Sequence, residues 1–309
     1  MTSMLSSTPI ECPQYLLDKA SALTPAPTAI VNAGAQLPME SAKEAFEKNL
    51  IEPVLVGDIA VINAIAKTLG WDISALRVIA AHGEVAAAET SVALARSNEV
   101  SSLMKGNLHT DNLLRAVIHR DTGLRTGSRL SHVFHMTLPG SDNAICITDA
   151  AINVLPTVNV KLDIARNVTA LMHALGNNAP KIALLSATEV ATASVPSSMD
   201  AEAIMKEAQN GAVPGAIVDG PFAFDIAVSP AAAKIKGIES PVAGCADVLL
   251  VPNIEAGNVL FKQMVYFMSA AAAGIVMGAK VPIVLTSRAD PVAARLASAA
   301  LASIVANAR

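Results

Sequence analysis

Hydrophobic and polar positions along this chain switch repeatedly between two spacings. Short runs of consecutive Val, Ile, Leu and Ala, closed by Gly, Asn, Asp or Pro, read as buried strands; stretches with apolar residues three or four apart read as helices. Residues 1 to 24 read as a lead-in helix and Thr28 to Gly34 as the first strand. There follow a helix from Ser41 to Asn49, a strand from Glu52 to Val56 closed by Gly57 and Asp58, and a helix from Ile62 to Leu69. A short strand within Ser74 to Ala81 and a helix from Val85 to Arg96 continue the series, which resumes at Ser101. Such regular alternation predicts a doubly wound α/β arrangement.

A strand over His132 to Leu138 runs into Pro139 and Gly140, and a new strand over Ala144 to Thr148 opens a second series. Its further strands are Lys181 to Ser186, Gly215 to Val218 and Val248 to Pro252; its helices lie near Lys161 to Leu175 and Asp200 to Gln209, the latter with Met205 toward the core. The run Val281 to Leu285 is the last strand, with Asp290 read as an N-cap, Pro291 as the first helical residue and the Ala-rich stretch to Ala306 as the helix. At 309 residues the chain fits two domains of ordinary size. The expectation is two three-layer α/β/α domains: a discontinuous first one (1–138 plus 287–309) and a second (139–286).

Composition narrows the function. The 52% hydrophobic content is aliphatic, with 3% aromatic residues, as for helices packed on a mostly parallel sheet. A net charge of −4 and so few aromatics argue against nucleic acid as a partner. Met1 to Pro13 lacks the basic start of a secretory signal, and Ser269 to Ala279 is too short to span a bilayer. The expectation is a soluble, cytoplasmic protein without membrane contact. Cys12, Cys146 and Cys245 are odd in number and far apart, so neither a disulfide framework nor a CxxC site is expected.

Cationic residues gather in one stretch. Lys105, Arg115, Arg120, Arg125 and Arg129 are five of the 22 Lys and Arg side chains within 25 residues, where an even spread gives about two. Arg offers forked donors for phosphate oxygens, and Gly123, Gly127 and Ser128 between them let main-chain N–H groups approach a ligand. A solvated helix face is the competing reading. His109, His119, His132 and His135 share this region, but an offset of three on a strand puts His132 and His135 on opposite faces, and no HExxH accompanies them; no metal site is expected. No GxGxxG, GxxxxGK[ST] or GxSxG occurs. Ser287 and Arg288 follow the last strand directly and precede a helix start, which puts a hydroxyl and a guanidinium where α/β sheets bind anions.

Four blocks in this order resemble the phosphate acetyltransferase and phosphate butyryltransferase family: Met104 to Thr110 (MKGNLHT), Gly123 to His132 (GLRTGSRLSH), Val218 to Asp225 (VDGPFAFD) and Ala246 to Asn258 (ADVLLVPNIEAGN), joined by Thr286 to Asp290 (TSRAD). The resemblance runs from about residue 30 to the C-terminus. It is nearest to the short members, including the transferase part of enoyl-CoA hydratase–phosphate acetyltransferase fusions. It implies an isocitrate dehydrogenase-like pair of α/β domains with a cleft between them, usually in a homodimer. The implied reaction is reversible transfer of a short acyl group between CoA and inorganic phosphate by direct attack in a ternary complex. CoA is then a substrate, and no metal or redox cofactor is required.

The resemblance also implies roles. Ser287 hydrogen-bonds the reacting thioester or thiol, and Arg288 holds the phosphate as charge develops. Ser128, Arg129 and Ser131 form a second wall of the phosphate site, with Lys105, Asn107 and Arg115 binding phosphate or CoA. Better-known acetyltransferases carry an Asp seven residues beyond the serine, where this chain has Ala294. The base that takes the thiol proton, whose ordinary pKa is about 8.5, is then sought among Asp290, Asp225 and Glu255. Each has a structural alternative: a cap for Asp290, a turn for Asp225, a helix start for Glu255. Three other functions compete with a phosphate acetyltransferase: a phosphate butyryltransferase, a non-catalytic CoA-binding protein, and a metal- and NAD-dependent dehydrogenase of the related fold. Acetyl and butyryl pockets differ by two methylenes, which the sequence alone does not resolve.

Overall fold

A computed structural model describes residues 4–285 and 290–309. Residues 1–3 and 286–289 lie outside the described residues, and with them Ser287 and Arg288. In chain order the elements are α1 (Gln14–Ser21), β1 (Ala26–Val31), α2 (Gln36–Glu47), β2 (Ile51–Gly57), α3 (Ile59–Thr68), β3 (Arg77–Ala80), α4 (Gly83–Arg96), β4 (Ser102–Lys105), α5 (Thr110–Val117), β5 (Ser131–Thr137) and β6 (Ala144–Thr148). They continue with α6 (Val158–Ala174), β7 (Lys181–Leu185), α7 (Pro196–Gln209), β8 (Ile217–Phe222), α8 (Phe224–Val228), α9 (Pro230–Ile235), β9 (Val248–Leu250), α10 (Ile254–Met268), β10 (Ala271–Met277), β11 (Ile283–Val284) and α11 (Val292–Asn307). Two compact units result: Ile10–Ser128 with Ala273–Arg309, and Met1–Pro9 with Arg129–Ala272.

In the first of these units the strands are ordered β3-β2-β1-β4-β11-β10. All neighbours are parallel except β10 and β11. From β1 the chain builds outward to β2 and β3, then returns to place β4 on the other side, so the strand order reverses between β1 and β4. Ala29, Ile30 and Val31 of β1 are fully buried, as a central strand requires. Asp58 caps α3, its carboxylate accepting the N–H groups of Ala60 and Val61 at 2.9 and 3.2 Å. The lead-in helix contracts to α1, because Pro13 occupies its cap position. Pro291, not Asp290, is the cap residue of α11: its ψ of 154° takes it out of the helix, which therefore begins at Val292 and leaves Asp290 one residue before the cap.

The other unit orders its strands β5-β6-β9-β7-β8, with β5 antiparallel to β6 and the rest parallel. Strand β8 extends four residues beyond the expected Val218, through Gly220 and Pro221. An edge strand tolerates that proline, since one side of it needs no ladder donor. Met205 is only half-buried. Helix α7 starts earlier than expected, and its buried stripe is Ser198, Ala201 and Ile204.

Both faces of β5 are covered, so His132 and His135, on opposite faces, are each buried. Burial pushes both imidazoles down to about 4, with the nearby Asp149 charge partly opposing this at His132. In the unfolded chain an imidazole titrates near 6.5, so between pH 6.5 and 4 the unfolded state binds more protons and stability falls as pH falls. Urea unfolding at pH 7 and pH 4.5 is expected to differ by a few kcal/mol. His135→Phe should reduce that dependence; an unchanged slope in this variant contradicts the assignment.

Candidate functional site

The reversal of strand order between β1 and β4 creates a crevice position at their carboxyl ends, the usual ligand site of open α/β sheets. There the chain is held by main-chain contacts. Gly106 N–H donates to Val31 O at 2.9 Å and Asn107 N–H to Asn32 O at 2.8 Å, while the Asn32 amide returns to Asn107 O. A Cβ on Gly106 would lie 2.6 Å from Asn32 O and closer still to Val31 O, so only glycine permits this approach. Lys105, half-buried, and Asn107, exposed, flank it.

Strand β11 runs parallel beside β4, pairing Ile283 with Leu103 and Val284 with Met104. The strand that leads in sequence to Ser287 and Arg288 therefore ends at the same sheet edge as the strand that ends in Lys105. Beyond the undescribed residues, Asp290 is half-buried. The buried Arg295 guanidinium donates to its carbonyl and, through Nε at 2.8 Å, to Ser41 Oγ on α2.

Helix α5 opens at the same edge with His109 in the cap position and no capping side chain of its own. Glu84 of α4 substitutes: it accepts the His109 N–H and the Asn112 amide, each at 2.8 Å, and lies 2.9 Å from His109 Nδ1. The His109 N–H foremost, then its ring and Asn112, hold the Glu84 carboxyl down to about 2. Arg115 is exposed in the last turn of α5, at the opposite end of that helix from Lys105 and where a cation favours the dipole. Arg120 and Arg125 are exposed in the segment beyond. Of its two glycines, Gly123 is sterically required, because a Cβ would meet the carbonyls of Val117 and His119, whereas Gly127 faces open space. Ser128 is half-buried, its N–H donating to Thr126 Oγ1 at 3.1 Å.

In the other unit the antiparallel start of β5 lies beside the carboxyl end of β6, Val133 pairing with Thr148. Arg129 exposes its side chain there. Ser131, in contrast, is fully buried and accepts a hydrogen bond from Asn167 Nδ2 at 2.9 Å. Asp225 is exposed on the first turn of α8, 3.7 Å from Lys236, which itself binds Glu189 at 2.9 Å. Glu255 is exposed in the first turn of α10, whose cap is Asn253, accepting the Ala256 N–H at 3.0 Å. Asp149, directly after β6, is buried and accepts the N–H groups of Ala151, Ile152 and Asn153. Sequence reasoning missed both Asp149 and Glu84; the first directly follows the aliphatic run of β6, and the second caps a helix other than its own. Among the described residues no group of His, Cys, Asp and Glu suits a metal ion, and no helix is long and apolar enough to cross a membrane.

Comparison with known proteins places this chain in a family. Residues 84–303 match the family described as phosphate acetyl/butaryl transferase. The chain is 45% identical over 293 residues to a phosphate acetyltransferase of Rickettsia typhi, covering 94% of this chain and 84% of that protein. It is 37% identical over 291 residues to a phosphate butyryltransferase of Clostridium beijerinckii, covering 94% and 96%. A crystal structure of a branched-chain phosphotransacylase from Enterococcus faecalis superposes with a TM-score of 0.79 at 29% identity, over 91% of this chain and 99% of that one. With the family model spanning more than half its length, this chain belongs to the phosphate acetyl/butaryl transferase family.

Proposed function

We propose that this protein is a phosphate acyltransferase that moves a short acyl group, acetyl in the first place, reversibly between CoA and inorganic phosphate. The observation that carries the reading is the parallel pairing of β11 with β4, next to the strand-order reversal between β1 and β4, which brings the strand preceding Ser287 and Arg288 to the edge that presents Lys105 and Asn107. The higher identity to an acetyltransferase than to a butyryltransferase favours acetyl over butyryl.

In the acyl phosphate-forming direction an oxygen of phosphate attacks the thioester carbonyl, the carbon becomes tetrahedral, and the C–S bond breaks to release CoA thiolate. Arg288 neutralises the phosphate and the developing oxyanion, and Ser287 donates to the thioester or its leaving sulfur. Lys105 and Asn107 in the one unit, and separately Arg129 in the other, bind phosphoryl oxygens of the substrates by charge and hydrogen bonding. In reverse the thiol loses its proton before attack, and Asp290, in the same strand-to-helix segment as the serine, receives it. Only the two substrates take part; the reaction requires no redox group or metal. The three free cysteines fit a reducing cytoplasm.

The reading is tested by initial rates with acetyl-, propionyl- and butyryl-CoA at varied phosphate. Intersecting double-reciprocal lines, with acetyl-CoA the best substrate, are expected. Parallel lines point to an acyl-enzyme and contradict direct attack.

The functional unit is proposed to be a homodimer. Helix α10 buries only Gly257 and leaves Val259, Tyr266, Phe267 and Met268 exposed, an apolar stretch that a second copy would cover. Sedimentation equilibrium should give twice the 31.7 kDa chain mass, and Phe267→Asp should lower it; a monomer at micromolar concentration contradicts the proposal.

A further inference from the structure

The exposed Arg129 side chain stands on a main chain whose N–H and carbonyl are both held by polar side chains. Its N–H donates to Asp163 Oδ2 at 3.1 Å, and its carbonyl accepts from Asn167 Nδ2 at 2.8 Å. The following carbonyl, of Leu130, accepts from Asn153 Nδ2 at 2.8 Å. The second Asn167 amide proton goes to Ser131 Oγ at 2.9 Å, and the second of Asn153 to Asp149 Oδ2 at 2.6 Å, so both protons of each amide nitrogen are used.

The holders are themselves held. The other oxygen of Asp163 accepts from Arg166 Nη1 at 2.8 Å, and Arg166 Nε donates to Ala212 O at 2.7 Å. Asn167 is 6% exposed, Asp149 2% and Ser131 0%. Burying this much polarity is unfavourable unless each group is satisfied. Here two of the bonds, to Asp163 and from Asn167, meet at one residue whose own side chain makes neither. Asp163 and Asn167 are one helical turn apart on α6, so the same face of one helix grips both sides of the Arg129 peptide.

We propose that Asp163 and Asn167 are positioning residues: by fixing the main chain of Arg129 they present its guanidinium, already ordered, to a phosphoryl oxyanion of a substrate. The inference rests on the reading of Arg129 as an anion-binding residue. A fixed stem removes part of the ordering loss that a flexible arginine suffers on binding. The anion is inorganic phosphate or a phosphate of CoA, and kinetics separate the two.

The test uses the full-length enzyme with Arg129→Gln, Asn167→Ala, Asp163→Ala, Asp163→Asn and the double variant Arg129→Gln/Asn167→Ala, measuring kcat, the KM for phosphate, the KM for CoA and the melting temperature. Asn167→Ala and Asp163→Ala are each expected to raise one of the two KM values by up to about tenfold, with a smaller change in kcat. Asp163→Asn keeps an acceptor for the Arg129 N–H and should stay within about twofold of wild type. The double variant should be no worse than Arg129→Gln alone, because the platform acts only through that side chain. Should Asn167→Ala fail to fold, Asp163→Ala set against Asp163→Asn carries the same comparison. If Arg129→Gln raises a KM while folded Asn167→Ala and Asp163→Ala do not, or if the two effects multiply, the platform is overturned and the reading of Arg129 stands. If Arg129→Gln moves neither KM, the reading of Arg129 falls and the platform with it.

Discussion

Alanine at Arg288 is expected to lower turnover by about 10²–10³-fold, the usual loss when a preorganised donor to a developing oxyanion is removed. Phosphate brings negative charge to the reacting carbon, and the tetrahedral intermediate adds more, so a guanidinium beside it stabilises the transition state beyond the ground state. Lysine at this position restores charge without the forked geometry and should recover only part of the rate. Ser287→Ala removes the hydrogen bond proposed to the thioester or thiol and should lower kcat less than Arg288→Ala, with little change in melting temperature. Wild-type rates in folded Ser287→Ala and Arg288→Ala would remove this segment from the mechanism.

The second large effect is structural in origin. In Gly106→Ala the new methyl would collide with the carbonyl oxygens of Val31 and Asn32, both main-chain atoms that cannot swing aside. The junction of β1 and β4 must open, costing about 1–3 kcal/mol or more, and Lys105 and Asn107 move with it. We expect a lower urea midpoint and a loss of activity in whatever fraction remains folded. Gly127→Ala is the matched control: its Cβ would meet nothing within 4 Å, so stability should hold or rise slightly. Equal tolerance of both substitutions would contradict the close approach at Gly106.

Much of the fold was legible because aliphatic runs and turn residues punctuate the chain plainly. Ala144 to Thr148 was read to the residue, and β1, β2, β5, β7 and β9 within a few positions. Three of the misreadings trace to proline. Pro221 hid the second half of β8, which an edge position allows; Pro13 shortened the lead-in helix; and Pro291 took the cap position assigned to Asp290. In each case the ring's effect depends on sheet position or on ψ, and local pattern reports neither.

The candidate residues were legible as chemistry more than as geometry. Lys105 and Asn107 lie at a strand-order reversal that only the strand order reveals. The resemblance puts Ser131 in the second wall of the phosphate site, yet its position at the start of a covered strand buries it against Asn167. Asp163 and Asn167 look like ordinary polar positions on an amphipathic helix; their partners lie 34 and 38 residues away, beyond any local pattern. Glu84 likewise looks like a first-turn acid of its own helix, and its partnership with His109 depends on two helices meeting at one sheet edge.

The central claim is tested most directly by following CoA thiol release from acetyl-CoA by the purified protein, with and without inorganic phosphate, while measuring acetyl phosphate. Release that requires phosphate and yields one acetyl phosphate per thiol is the predicted result. Binding of CoA with no phosphate-dependent release would contradict it and make Ala294, where better-known acetyltransferases carry an Asp, the mark of a CoA-binding protein without turnover.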